Sequence, residues 1–108
     1  MFGVVPIPLW MLGDSMFVSV PDGYGGFREP VEVSPVRFEE EQSASDDAHR
    51  SADAGGGTVF VDAANSRGAF EIPVGSRVEI GGVSYVVRTC QRRGEFGSKV
   101  HHWELVVS

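Results

Sequence analysis

The feature that most constrains this chain is the Gly81-Gly82 pair set between two runs of alternating apolar residues. Before it, Val78 and Ile80 share one face while Arg77 and Glu79 take the other; after it, Val83, Tyr85 and Val87 alternate with Ser84, Val86 and Arg88. Alternation at period two is the mark of a strand, whose successive side chains point to opposite faces. Two glycines between such runs supply the positive φ angles that a two-residue hairpin loop demands. After a polar break from Gln91 to Lys99 the alternation resumes, with Trp103, Leu105 and Val107 opposite His102, Glu104 and Val106. The stretch from Pro73 to Ser108 thus predicts three consecutive strands whose valines, Tyr85 and Trp103 face inward together.

The rest of the chain extends that pattern. Its 108 residues fit one compact domain, a size that buries roughly 60 to 68% of the unfolded surface. The 14 glycines and 6 prolines suit short strands joined by turns better than a helix bundle. From Ser15 to Val20, Met16, Val18 and Val20 share a face opposite Phe17, which predicts a first strand. Pro21-Asp22-Gly23 is a turn tripeptide, extended by Tyr24-Gly25-Gly26-Phe27. The second strand, Val31 to Glu39, changes phase: Val31 and Val33 share a face, but Val36 and Phe38 have the opposite parity. Ser34-Pro35 between them marks a bulge or bend, because proline cannot donate to a ladder. Thr58 to Ala63 is a third strand, Ala64 to Gly68 a turn, and Phe70 with Ile72 a short edge piece. The expected fold is all-β, a small closed or partly open antiparallel β-barrel of about six strands. It occupies residues 15–108, behind an arm of residues 1–14.

The arm begins MFGVVPIPLWMLG. It lacks a basic n-region, and Pro6 and Pro8 would break a membrane helix, so neither a signal peptide nor a span is expected. Val4, Val5, Ile7, Leu9, Trp10, Met11 and Leu12 are too many apolar groups to leave in water, at about 25 cal/mol per Å². The Pro-x-Pro spacing favours an extended entry. Either the arm packs across one end of its own barrel, or it docks on a neighbouring subunit as a partner-binding arm. The stretch from Glu40 to Gly57 is the second unusual segment, with almost no apolar side chain and the composition of a mobile loop. Its charged and titratable residues are Glu40, Glu41, Asp46, Asp47, His49, Arg50 and Asp53. It is either a solvated tether or a channel and inter-subunit segment that orders when partners arrive.

Charge and chemistry narrow the function. The net charge is −6 and the acids crowd between Glu39 and Asp53, so the chain should not seek nucleic-acid phosphate. No constellation supports catalysis, and no enzyme, cofactor or metal is expected. His101 and His102 are adjacent, so on a strand they should point to opposite faces and cannot chelate one metal together. Cys90, the single cysteine, reads as a buried structural thiol in a protein folded in a cytoplasm. The run Glu39 to Glu41 enters a loop rather than a rigid cleft. None of the glycine clusters has the spacing of a phosphate cradle. Arg88, Arg92, Arg93 and Lys99 form a basic patch at the tip between the last two strands, too small for nucleic-acid readout. Arg92, Arg93 and Lys99 suit an ion-paired contact with the acidic region of an adjacent copy.

Taken in order, the apolar Pro-x-Pro segment, VxVSPVRFE, the long polar loop, TVFVDAANSR, VGSRVEIGGVSYVV and the closing KVHHWELVV resemble the small minor capsid proteins of long-tailed bacteriophages. More narrowly, they are similar to the head-completion or stopper proteins of the head-to-tail connector. The resemblance implies a barrel that assembles as a homo-oligomeric ring in the virion neck, made in the host bacterial cytoplasm. Its partners would be the portal or adaptor protein on one side and the tail terminator or tail tube protein on the other, with no membrane involved. Packaged DNA would pass through the channel without sequence-specific binding. In some relatives the loop after the second strand projects into that channel. The matching positions here are Glu40 to Gly57, whose acidity would repel DNA rather than plug the bore. The residues leave one alternative open, a monomeric SH3-like or OB-like module for peptide or nucleic acid, which needs a groove lined with aromatic or basic residues; of the aromatics available, Tyr24, Phe27, Tyr85 and Trp103, the alternation places Tyr85 and Trp103 with the core valines.

Overall fold

The computed structural model describes residues 5–41, 55–94 and 99–108. Among the described residues there are six strands: β1 (Asp14–Ser19), β2 (Val31–Glu40), β3 (Gly57–Asp62), β4 (Arg77–Ile80), β5 (Val83–Gly94) and β6 (Val100–Val107). A single 3-10 turn, Leu9–Met11, precedes them. They close into a barrel in the order β1-β2-β3-β6-β5-β4, every neighbouring pair antiparallel. The closing seam runs from Met16 opposite Ile80 to Ser19 opposite Arg77. Closure gives every strand a neighbour on both sides over part of its length. No helix of the described residues is long and apolar enough to cross a membrane.

Alternation fills the interior. Met16 and Val18, Val59 and Val61, Val78 and Ile80, Tyr85 and Val87, and Trp103, Leu105 and Val107 all point inward and are buried. Branched aliphatic side chains suit a bore this narrow. Tyr85 and Trp103 keep 6% and 8% of their surface exposed, so both rings belong to the core as expected. An aromatic groove of the SH3-like or OB-like kind therefore loses two of its four members.

The bend in β2 is where the phase change places it. Pairing with β1 slips between Met16 opposite Val33 and Asp14 opposite Val36, and the Ser34-Pro35 peptide there is cis. The slip lets Val33 and Val36, three residues apart, both reach the core. The Gly81-Gly82 turn has φ of 60° and 82°, the positive pair that joins β4 to β5. The turn after β3 folds back on the bend: Ser34 and Arg67 exchange two backbone hydrogen bonds, and the Ser66 hydroxyl donates to the Pro35 carbonyl at 2.6 Å.

Three expectations need correction. β5 runs on to Gly94, so Gln91, Arg92 and Arg93 lie in a strand, opposite Glu104, Trp103 and His102, rather than in a polar break. That end of the hairpin overhangs the barrel with these side chains in solvent, so the backbone ladder forms without any apolar alternation to announce it. Phe70 and Ile72 form no edge strand, although Ile72 is buried in the core from the β3–β4 connection. Cys90 is only half-buried at the core's margin, and burial pushes its thiol up from the ordinary value, which keeps it protonated and unreactive.

Candidate interaction site

The site is built outward from Asp62, at the end of β3. This carboxylate is fully buried. Its Oδ2 accepts the amide hydrogens of Ala64 at 3.0 Å and Asn65 at 2.8 Å, which shapes the turn. Its Oδ1 accepts the amide of Ile7 at 2.9 Å, and the Asn65 side chain donates to the Ile7 carbonyl at 2.8 Å. Both backbone groups of Ile7 are thus satisfied by one turn of the barrel, which fixes the arm against the wall. Sequence reading took this turn for a connector. The signal available was an aspartate directly before Ala-Ala-Asn, a residue type that captures the amides that follow it.

Two further bonds hold the arm. His101 Nε2 meets the Val5 carbonyl at 2.7 Å, and an Arg37 guanidinium nitrogen meets the Met11 carbonyl at 3.4 Å. Between the arm and the outer face of β2, β3 and β6 lies an open cleft of about 540 Å³. Its walls are apolar, from Val5, Ile7, Pro8, Met11 and Phe60, and its rim carries Arg37, Glu39, His101 and His102. The described part of the arm therefore packs on its own barrel, and Leu12 is buried there. Several of its apolar side chains stay bare, with Val5, Leu9 and Trp10 at 76%, 59% and 83% exposure. Val4 lies outside the described residues.

The histidines overturn the expectation of opposite faces. Pairing of β5 with β6 slips between Arg93 opposite His102 and Gly94 opposite Val100, so His101 is the extra residue of a bulge. The added residue cancels the alternation, and the two rings meet with centroids 5.0 Å apart and Nδ1 to Nδ1 at 2.7 Å. His102 Nε2 then reaches Glu104 at 3.0 Å. A carbonyl and a carboxylate only accept, so both Nε2 atoms donate. The hydrogen bond from His102, followed by the charge of Arg93, holds the Glu104 carboxyl below the ordinary range. Among the described residues no group of three or more histidine, cysteine or acidic side chains is arranged to hold a metal.

The remaining candidates are scattered. Arg92 pairs with Glu71 at 2.7 Å and Arg93 with Glu104 at 3.4 Å, so both arginines of the hairpin tip meet acids of their own chain. Lys99 is exposed. Glu40 and Glu41 are exposed at the root of the acidic segment, where Glu41 donates its amide to the Gly56 carbonyl at 2.7 Å. Asp46, Asp47, His49, Arg50 and Asp53 lie outside the described residues.

The turn expected from Pro21 to Phe27 lies at the other end of β1. In the β1–β2 loop, Asp22 Oδ1 accepts the amides of Tyr24 at 2.7 Å and Gly26 at 3.1 Å, while its own amide donates to the Gly26 carbonyl at 3.0 Å. Gly23 and Gly25 take φ of 86° and 90°, which lets the chain turn this tightly. Pro21 bridges to Phe27 across the base, and the Arg77 guanidinium sits 4.3 Å over the Phe27 ring. On this braced loop Tyr24 is 93% exposed. Comparison with known proteins adds a match to a family model described as minor capsid protein, over residues 17–107. No curated protein and no solved structure matches.

Proposed function

The chain belongs to the minor capsid protein family, a structural component of the virion, and from that membership we propose that it is a head-completion or stopper subunit of a phage head-to-tail connector. In this reading it is made in the host cytoplasm and joins a ring in the neck, between the portal or adaptor and the tail, with DNA passing along the axis. The observation that carries the reading is the arm: it is pinned to the barrel by polar bonds while Val5, Leu9 and Trp10 stay exposed to solvent. Apolar groups held in fixed positions at the surface mark a contact with another protein. Charge supports the axis. A subunit of net charge −6, with Arg37, Arg92 and Arg93 each facing a carboxylate, offers DNA little to adhere to.

The test is removal of residues 1–11. Deletion should abolish incorporation into particles, read by immunoblot of purified virions. The strand content of the free subunit, read by circular dichroism, should persist because every barrel pair begins at or after Asp14. Undiminished incorporation of the truncated, folded chain would refute the arm's role.

A further inference from the structure

The arm is fastened at two places, with a weakly held link between them. On one side of the link, Ile7 gives its amide to Asp62 at 2.9 Å and its carbonyl accepts from the Asn65 side chain at 2.8 Å, while the Val5 carbonyl meets His101 at 2.7 Å. On the other side, Leu12 is buried at the root of the arm. The link is the 3-10 turn Leu9–Met11, none of whose residues is buried. It is held by two hydrogen bonds of its own, from the Met11 amide to Pro8 at 2.9 Å and from the Leu12 amide to Leu9 at 3.0 Å. The one contact to the wall is the Arg37 bond to the Met11 carbonyl, long at 3.4 Å. Such a turn opens cheaply, because 3-10 hydrogen bonds are poorly aligned and exposed backbone groups regain water when it opens.

The segment that the link would release keeps its shape. Pro6 and Pro8 fix their own φ angles and bias Val5 and Ile7 toward extended backbone, so Val5 to Pro8 suits an Asp62 turn on any copy. Every copy carries that receptor, and its fit to this segment is visible at home. From Leu12 to Ile7 the opened link spans up to about 17 Å, enough to cross to a barrel packed alongside. Exchange replaces each docking contact by the same contact on a neighbour, the economy that makes swapping a low-cost route to assembly.

Exposure gives the exchange its direction. At home Leu9 and Trp10 stand 59% and 83% in water; a link stretched between two barrels is covered by both, and burial of these side chains favours the exchanged form. In the free subunit the short link holds the segment near its own receptor at an effective concentration in the millimolar range, so home docking wins there. Neighbours in a ring are held just as close.

We infer that in the assembled ring the Val5 to Pro8 segment leaves its own barrel and docks on the Asp62 turn of the next copy of this chain. The contact is heterologous, arm to turn, and repeats around the axis. It rests on the ring reading above and names the segment that would tie one subunit to the next.

The experiment places the photoreactive residue p-benzoylphenylalanine at position 5, where the native side chain is 76% exposed and the carbonyl lies against His101. Free subunits and purified particles are illuminated and run on denaturing gels. In the free subunit the expected product joins position 5 to the His101 region and runs at monomer mass. In particles the same two peptides should be joined in a ladder of dimers and higher multimers, with the monomer-mass product largely lost. The product remaining at monomer mass in particles overturns the proposal, as does a cross-link to a different virion protein or none from a normally incorporated subunit. Finding the wild-type chain away from the neck by immunogold labelling refutes the connector reading alone and leaves the gel to decide the exchange.

Discussion

Asp62 is a fully buried carboxyl group whose oxygens are met by backbone amides. Three backbone donors converge on its two oxygens, one of them from Ile7, 55 positions earlier. Removing the acceptor strands donors that water reaches poorly, and each such loss costs on the order of 1–3 kcal/mol. Asp62→Ala should therefore lower the urea midpoint and, more tellingly, speed amide exchange at Ile7 while the barrel amides of β4 remain protected. Unaltered exchange at Ile7 would mean that the arm is held by something else. This residue also marks the limit of what the sequence discloses. That an aspartate before Ala-Ala-Asn turns the chain was legible. That its second oxygen holds an arm from the other end of the molecule was not, because such a bond follows from tertiary placement and leaves no local pattern.

Among the elements, legibility followed the apolar side chains. The β4–β5 hairpin was readable because Val78, Ile80, Tyr85 and Val87 mark the inward face and two glycines mark the turn. The β2 bend was readable because a proline sits where the parity of the valines changes. The outer half of the β5–β6 hairpin carries Gln91, Arg92 and Arg93 opposite Glu104, Trp103 and His102, so one whole strand of it lacks an inward marker. A bulge there, which moves His101 to the side of His102, was equally silent. Its consequence can be tested through Glu104. Since the fold lowers this carboxyl's pKa, it contributes stability above the ordinary value of 4.5, and that contribution is lost as the pH falls through its folded value. Glu104→Gln should lower stability at neutral pH, by up to about 1 kcal/mol for a partly exposed pair, and should flatten the acid limb of the urea midpoint plotted against pH. An acid limb identical to wild type would remove Glu104 from the network.

For the molecule as a whole, closure and charge act together. The barrel ties its first strand to its fourth, and an association of the kind proposed would draw on what is mounted on the wall: the arm, the β1–β2 loop and the hairpin overhang. Closure was foreseeable from the number of alternating runs, but the placement of arm and loop at opposite ends of β1 emerged only with the strand pairing. Electrostatics then bears on how the proposed assembly would treat DNA. With net charge −6 and the paired arginines at 37, 92 and 93, few phosphates can be neutralised, and counterion release, the main source of non-specific affinity, has little to draw on. Even a modest basic face would be screened beyond about 8 Å at physiological salt. The free subunit should accordingly fail to retard a short duplex at concentrations up to about 0.1 mM, where ordinary non-specific binders already do so. Lowering the salt should not rescue binding, since weaker screening also strengthens the repulsion. A retarded band whose intensity rises steeply as salt falls would reveal a cationic track on the surface, and a bore made of these subunits would then grip the genome instead of letting it slide.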